Sequence, residues 1–307
     1  MTDRLFSQSF LHKLERLALL SRRATAGQLQ GERRSTKRGQ SVEFSDFRPY
    51  VAGDDFRRID WNAYARLERF FIKLFVEEED LTVHLLIDLS RSMDWGEPNK
   101  LDYALRVAGA LGYVALVGLD RVTVTALGDS QRRPERYFPP KRGKSAALSL
   151  FDFLLSLPSA SRAERSSAER GSAARGPAAW LGAYAADAGR PGPLILLSDL
   201  LDDGWQAGLN RLAGRGYEVS VLHILSPDEV NPDLSGDFRL LDTETNADVE
   251  ITADFQMLER YRLGLASWRL EWRRFCNVRG IHYVPVETSL PPEDLLFAGL
   301  RQQGVLK

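Results

Sequence analysis

A chain of 307 residues, 44% hydrophobic and 27% charged, can bury a large core and sits in the ordinary range for globular proteins. Its 41 basic and 42 acidic residues leave a net charge of −1, so no global field draws it toward nucleic acid or an anionic membrane. The single cysteine, Cys276, excludes an internal disulfide and fits a reducing compartment; its position inside a helical stretch suits a small packing residue better than a nucleophile.

The first residues scatter Asp3, Arg4, Lys13, Glu15 and Arg16 where a signal peptide needs an unbroken apolar run. The longest uncharged stretch, Val107 to Leu119, is too short to span a bilayer and reads as a buried core helix. These features predict a cytoplasmic chain without membrane insertion. Phe10, Leu11, Leu14, Leu17 and Leu20 fall near helical spacing, which predicts an amphipathic helix over 9–21. A connector with Arg22, Arg23, Arg33, Arg34, Lys37 and Arg38 follows. It has no interleaved aromatics, so it reads as a solvated linker rather than a nucleic-acid surface.

From residue 82 onward the pattern changes. TVHLLID (82–88) is a near-continuous apolar run, the mark of a strand buried on both faces of a parallel sheet. A helix from about Lys100 to Gly118 follows, then a strand at 122–127, a loop marked by Pro139, Pro140 and Gly143, and a helix over about 145–157. Residues 158–177 are Ser-, Ala- and Arg-rich without apolar period and read as a mobile surface insertion. Strands at 194–198 and 217–225 bracket a helix at 205–214. The runs 238–241 and 249–251 around DTETNAD predict a β-hairpin excursion. A long helix over 255–278, the strand IHYVPV and a helix near Pro292 complete the series. Alternating buried strands and helices give an α/β fold, a doubly wound and mostly parallel sheet in residues 81–307, preceded by a helical and irregular extension in residues 1–80.

In an open α/β sheet ligands bind outside the carboxyl ends of the strands. Asp88-Leu89-Ser90-Arg91-Ser92 directly follows the first buried strand, and LILLSDL delivers Asp199 at the end of another. Two readings stand for these residues: helix caps, or oxygen ligands of a divalent ion that offsets the repulsion between two carboxylates. An oxygen-only set favours Mg²⁺ first, with Mn²⁺ or Ca²⁺ also suitable. The arrangement resembles the metal-ion-dependent adhesion site of von Willebrand factor A domains. Asp88, Ser90 and Ser92 match its first loop and Asp199 its later Asp. The Thr that the resemblance implies is absent from KRGKSAAL, where Ser145 is the candidate substitute.

A more specific resemblance lies in GQSVEFSDFRPYVAGDDFRRIDWNAYARLERFFIKLFVEEED, residues 39–80. With the run into DLSRSM, the segment LLDTETNADVEIT, the Arg-rich helix and RGIHYVPV, it is similar to the bacterial family called domain of unknown function 58. That resemblance implies association with a MoxR-type AAA+ ATPase or the client it remodels. Within the signature, Asp54, Asp55, Arg57, Arg58 and Asp60 alternate beside Phe56, Ile59 and Trp61, which suits either an internally satisfied brace or a partner surface.

Enzymatic signatures are weak. Gly143-Lys144-Ser145 has the tail of a phosphate-binding loop, but Phe138 stands where a glycine is needed, and Pro139 and Pro140 remove amide donors. His12, His84, His223 and His282 are dispersed, and no nucleophile elbow occurs. The expectation is a non-enzymatic, metal-dependent protein-binding module, an adaptor or co-chaperone. The alternatives are a Mg²⁺-dependent hydrolase and a metal-free scaffold.

Overall fold

The continuous apolar runs become the inner strands of one sheet. In the computed structural model, which describes residues 6–19, 42–51, 54–77, 81–128, 137–168, 177–187, 189–241 and 248–307, the chain opens with helix α1 (Gln8–Leu14). Strand β1 (Val42–Pro49), helix α2 (Trp61–Leu67) and strand β2 (Phe71–Glu77) come next. They precede β3 (Thr82–Asp88), α3 (Lys100–Val117), β4 (Arg121–Leu127), β5 (Tyr137–Arg142), α4 (Ala147–Ala168) and α5 (Pro177–Asp187). The series continues through β6 (Pro193–Ser198), α6 (Trp205–Gly214), β7 (Glu218–Leu225), α7 (Pro227–Val230), β8 (Gly236–Leu241), β9 (Asp248–Ala253), α8 (Phe255–Val278) and β10 (His282–Glu287).

Six strands form the main sheet in the order β10-β7-β6-β3-β4-β5, all parallel except the edge strand β5. This is the doubly wound, mostly parallel α/β architecture that the alternation implied. The strand residues split by parity between two cores, as a sheet covered on both faces requires. Leu85, Ile87, Ile195 and Leu197 pack with α1, α3 and α4. Leu86, Leu194 and Leu196 pack with α5, α6 and α8, around the fully buried Trp205. The uncharged run over 107–116 is buried throughout, as a helix enclosed in the first core. Cys276 is buried in the second core, where removal from water pushes its thiol up to about 12 and leaves it inert.

The described residues divide into two compact units, residues 22–80 and the rest. The smaller unit ends at Asp80, and the first 21 residues group with the sheet rather than with the extension. Phe6, Phe10, Leu14 and Leu17 are the reason: each is buried in the first core. The small unit is also more regular than expected. β1 and β2 pair antiparallel from Val42↔Glu77 to Pro49↔Phe71, with an irregularity between Phe44 and Asp46. The basic connector at 22–38 and the turn residues 242–247 of the β8–β9 hairpin lie outside the described residues.

Two loop assignments need correction. Residues 137–142 form the antiparallel edge strand β5 despite Pro139 and Pro140; an edge strand tolerates prolines because one side of its ladder has no partner. The segment expected to be a mobile insertion is helical at both ends, since α4 runs on to Ala168 and α5 starts at Pro177. Ala, Glu and Arg have high helix propensity, and Pro is favoured in the first turn. Residues 169–176 lie outside the described residues. Among the described residues no helix is long and apolar enough to cross a membrane.

Candidate functional site

The sheet reverses its winding at β3, with β4 on one side and β6 on the other. The carboxyl end of β3 is therefore the topological switch point, where open α/β sheets hold their ligands. Asp88 is the last residue of that strand and is buried. Its Oδ1 accepts the Ser90 amide at 2.8 Å, and its Oδ2 accepts the Ser198 hydroxyl at 2.6 Å. Ser90 and Ser92 place their hydroxyl oxygens 2.9 Å apart. Burial holds the Asp88 carboxyl well above the ordinary carboxylate range, the Asp199 charge adds to this, and the hydrogen bonds from Ser198 and Ser90 oppose it.

Asp199 follows the end of β6 and is also buried. The next residue, Leu200, sits in the left-handed region at φ 59, an uncommon conformation for a branched side chain, and its amide donates to Ser198 Oγ at 2.9 Å. The structure thus brings Asp88, Ser90, Ser92 and Asp199 to one edge. It does not bring Ser145. Strand β5 is antiparallel, so its end at Arg142 pairs with Arg121, whereas Asp88 pairs with Leu127 at the other end of β4. Six residues of strand at about 3.3 Å each put Ser145 roughly 20 Å away, across the sheet. It lies exposed in the 3-10 turn Lys144–Ala146.

Two residues at this edge escaped sequence reasoning. Lys100, the first residue of α3, is fully buried and donates to Asp199 Oδ2 at 2.8 Å and to Glu229 Oε1 at 2.5 Å. Glu229 lies in α7, just beyond β7, and its other oxygen accepts the Ser226 amide at 2.8 Å in a capping box. Both had a signal. A lysine in the first turn of a helix opposes the macrodipole and needs a local reason, and Ser226-Pro227-Asp228-Glu229 reads as a capping box at a strand end. Three strand ends therefore meet. Gly96, at φ 87, lets the β3–α3 loop lie on the β7–α7 turn, since a Cβ there would stand 2.3 Å from the Ser226 Cβ.

Beneath the edge, His223 donates or accepts through Nδ1 with the Tyr283 hydroxyl at 2.6 Å, and burial drives its pKa down to about 3. A contact with the Asp199 main chain offsets part of that effect. This neutral ring adds no counter-charge. Trp95 and Leu201, more than half exposed, flank the edge on the β3–α3 and β6–α6 loops.

The donor set fits a hard cation in part. Two adjacent hydroxyls and a buried carboxylate with no counter-ion among the described residues are oxygen ligands of the right kind. Among the described residues no group of three or more His, Cys, Asp or Glu is placed to hold a metal ion, so hydroxyls and water would supply much of the shell. Asp199 fits only when its bond to Lys100 is given up.

A family model described as protein of unknown function DUF58 matches residues 46–269. The chain belongs to the DUF58 family. The matched span includes the hairpin unit from residue 46 onward, the Asp88 loop, Lys100, Asp199 and Glu229. Two relatives align over 300 residues at 26% identity, covering 95% of this chain and 90% of their own length: Uncharacterized protein Rv1480 of Mycobacterium tuberculosis and Uncharacterized protein Mb1516 of Mycobacterium bovis. An aerotolerance-related membrane protein from Bacteroides fragilis is similar at 17% identity and a TM-score of 0.42, covering 73% of this chain and 98% of that one.

Proposed function

We propose that the carboxyl edge of the sheet is a protein-docking site, in which Asp88, Ser90, Ser92 and Asp199 hold a hard divalent cation, Mg²⁺ first and Mn²⁺ or Ca²⁺ as substitutes. The observation that carries this reading is the pair of serine hydroxyls 2.9 Å apart beside a buried Asp88 without a compensating charge of its own. When bound, such a cation supplies a position for a carboxylate of the partner. The protein's own residues do the rest. Trp95 and Leu201 add exposed apolar surface beside the polar centre, which a docked partner would cover. The chain then acts by holding a partner rather than by turning over a substrate. The partner that the family resemblance implies is a MoxR-type AAA+ ATPase or its client.

Calorimetry of the purified chain against the MoxR-type ATPase of the same organism tests this. Binding is expected with Mg²⁺, and its loss with chelator or in Asp88→Ala at unchanged circular dichroism. Equal binding in chelator removes the cation from the reading, and metal-dependent hydrolysis by the purified chain favours the enzyme instead. A metal-free scaffold has one specific observation in its favour, the Lys100 ammonium already seated on Asp199.

A further inference from the structure

Lys100 is the least expected residue at the carboxyl edge. An ammonium is among the costliest groups to bury, and here its side chain is fully enclosed at the positive end of α3. Asn99 already caps that helix through the amides of Leu101 and Asp102, at 3.0 and 3.1 Å. Helix stability therefore gives no reason for a lysine at this point. The two carboxylates that hold it do: Asp199 at 2.8 Å and Glu229 at 2.5 Å, from two different strand ends.

The two partners are not equivalent. Glu229 is gripped from behind, its Oε2 accepting the Ser226 amide at 2.8 Å and the Ser226 hydroxyl at 3.2 Å, and its main-chain carbonyl accepting the Tyr261 hydroxyl at 2.6 Å. Among the described residues the Asp199 carboxylate has only the Leu201 amide at 3.3 Å besides Lys100. Glu229 is thus a fixed anchor, and Asp199 is the partner free to leave. Charge points the same way. With Lys100 kept by Glu229, that pair is neutral, and Asp88 with Asp199 leaves two negative charges, which one divalent ion cancels. With Lys100 on Asp199, Asp88 has no cation of its own among the described residues.

We infer that the Lys100 ammonium is the resident cation of Asp199, and that a divalent ion enters this edge only by taking Asp199 from it, Lys100 falling back on Glu229. The inference rests on the cation-binding reading above and adds to it a competitor built into the chain. Divalent affinity is then set by how firmly Lys100 holds Asp199, and docking responds to the free cation level rather than being permanently enabled.

The test is Mn²⁺ titration of the full chain, followed by electron paramagnetic resonance, with thermal melts with and without Mg²⁺. Lys100→Met is expected to bind Mn²⁺ at least tenfold more tightly than the wild type, and its melting temperature to rise with Mg²⁺ far more. Glu229→Gln, which keeps the capping box and lies outside the cation's own ligands, is expected to bind Mn²⁺ several-fold more weakly, because Lys100 loses its fallback. That second variant decides the matter should Lys100→Met not fold without cation. Equal Mn²⁺ affinity in wild type, Lys100→Met and Glu229→Gln overturns the competition and leaves the cation site standing. No Mn²⁺ binding by any of the three at millimolar concentration overturns both.

Discussion

The carboxyl edge of the main sheet and the hairpin unit invert the usual rule of burial in opposite ways. At the edge, Asp88, Lys100 and Asp199 are charged groups almost without solvent access. In the hairpin unit Trp61, Tyr64 and Phe70 are aromatic rings 60%, 38% and 42% exposed. The charges at the edge reach across three strand ends for their partners. The hairpin's charges satisfy themselves locally: Arg48 grips Asp54 through two bonds of 2.7 Å, Asp55 caps the 3-10 turn at Phe56–Arg58, and Asp60 caps α2. Among the described residues its rings pair with one another, Tyr64 stacking on Phe70 at 4.4 Å and Tyr50 meeting Phe70 at 6.1 Å. Buried charge held by long-range contacts is a device that a ligand can rearrange. In the hairpin unit the charge pairs are local and the rings lie exposed.

The largest effect is expected where that comparison is sharpest. Lys100→Ala leaves Asp199 and Glu229 without their cation and should lower stability by about 3–5 kcal/mol in urea unfolding. A loss below about 1 kcal/mol would mean that water reaches both carboxylates and that the edge is not a closed network. On the same strand as Asp88, His84 is a buried polar group of the satisfied kind, with the Tyr184 hydroxyl 2.6 Å from Nδ1 and the Arg190 carbonyl 3.3 Å from Nε2. Burial lowers its pKa to about 4. A folded-state value below the ordinary 6.5 means that the unfolded chain takes up the proton first as pH falls. The stability that His84 contributes is therefore present above pH 6.5 and is lost down through about pH 4, on the order of 3 kcal/mol in all. Asp88, raised rather than lowered, acts in the opposite sense, so the slope should be read as the difference between wild type and His84→Gln. A difference that stays flat from pH 7 to 4 contradicts the buried neutral ring.

Gly96→Ala probes the junction itself. The residue has φ 87, and the new Cβ would meet Ser226 at 2.3 Å, so a loss of about 1–3 kcal/mol is expected together with weaker Mn²⁺ binding. A neutral substitution would show that the β3–α3 loop and the β7–α7 turn are not held in contact.

The main sheet was legible because its strands are buried on both faces and so read as unbroken apolar runs. TVHLLID and PLILLS need no periodicity to stand out, and the acids at their ends follow from the switch-point rule. Ser145 was misplaced because the turn direction of β5 hides in two prolines that read as a loop; once the strand runs antiparallel, the following turn must lie at the opposite edge. Lys100 and Glu229 each carried a local signal, but the pairing that gives those signals meaning spans 129 residues, and no local pattern encodes it. Strands β1 and β2 were missed for a different reason. Neither strand is a continuous apolar run in the sequence, and the charged signature between them drew attention to the turn instead.

The smallest expected effect lies in the hairpin unit. Trp61 meets Tyr64 and Phe70 edge-on, each at 6.3 Å, and Tyr64 lies flat on Phe70 with the planes 3° apart. Such a pair contributes about 0.5–1.5 kcal/mol beyond its buried area. Tyr64→Ala should therefore cost about 1 kcal/mol, seen as faster amide exchange in β1 and β2 while the main sheet keeps its protection, because residues 22–80 form a compact unit of their own. Trp205 supplies the yardstick, since it is fully buried in the second core and its replacement by Ala should cost about 3–5 kcal/mol. Trp61→Ala, at 60% exposure, should cost well under half of that. Equal losses at the two tryptophans would mean that the Trp61 ring is covered in solution, and the hairpin would then be part of a buried interface rather than a presented surface.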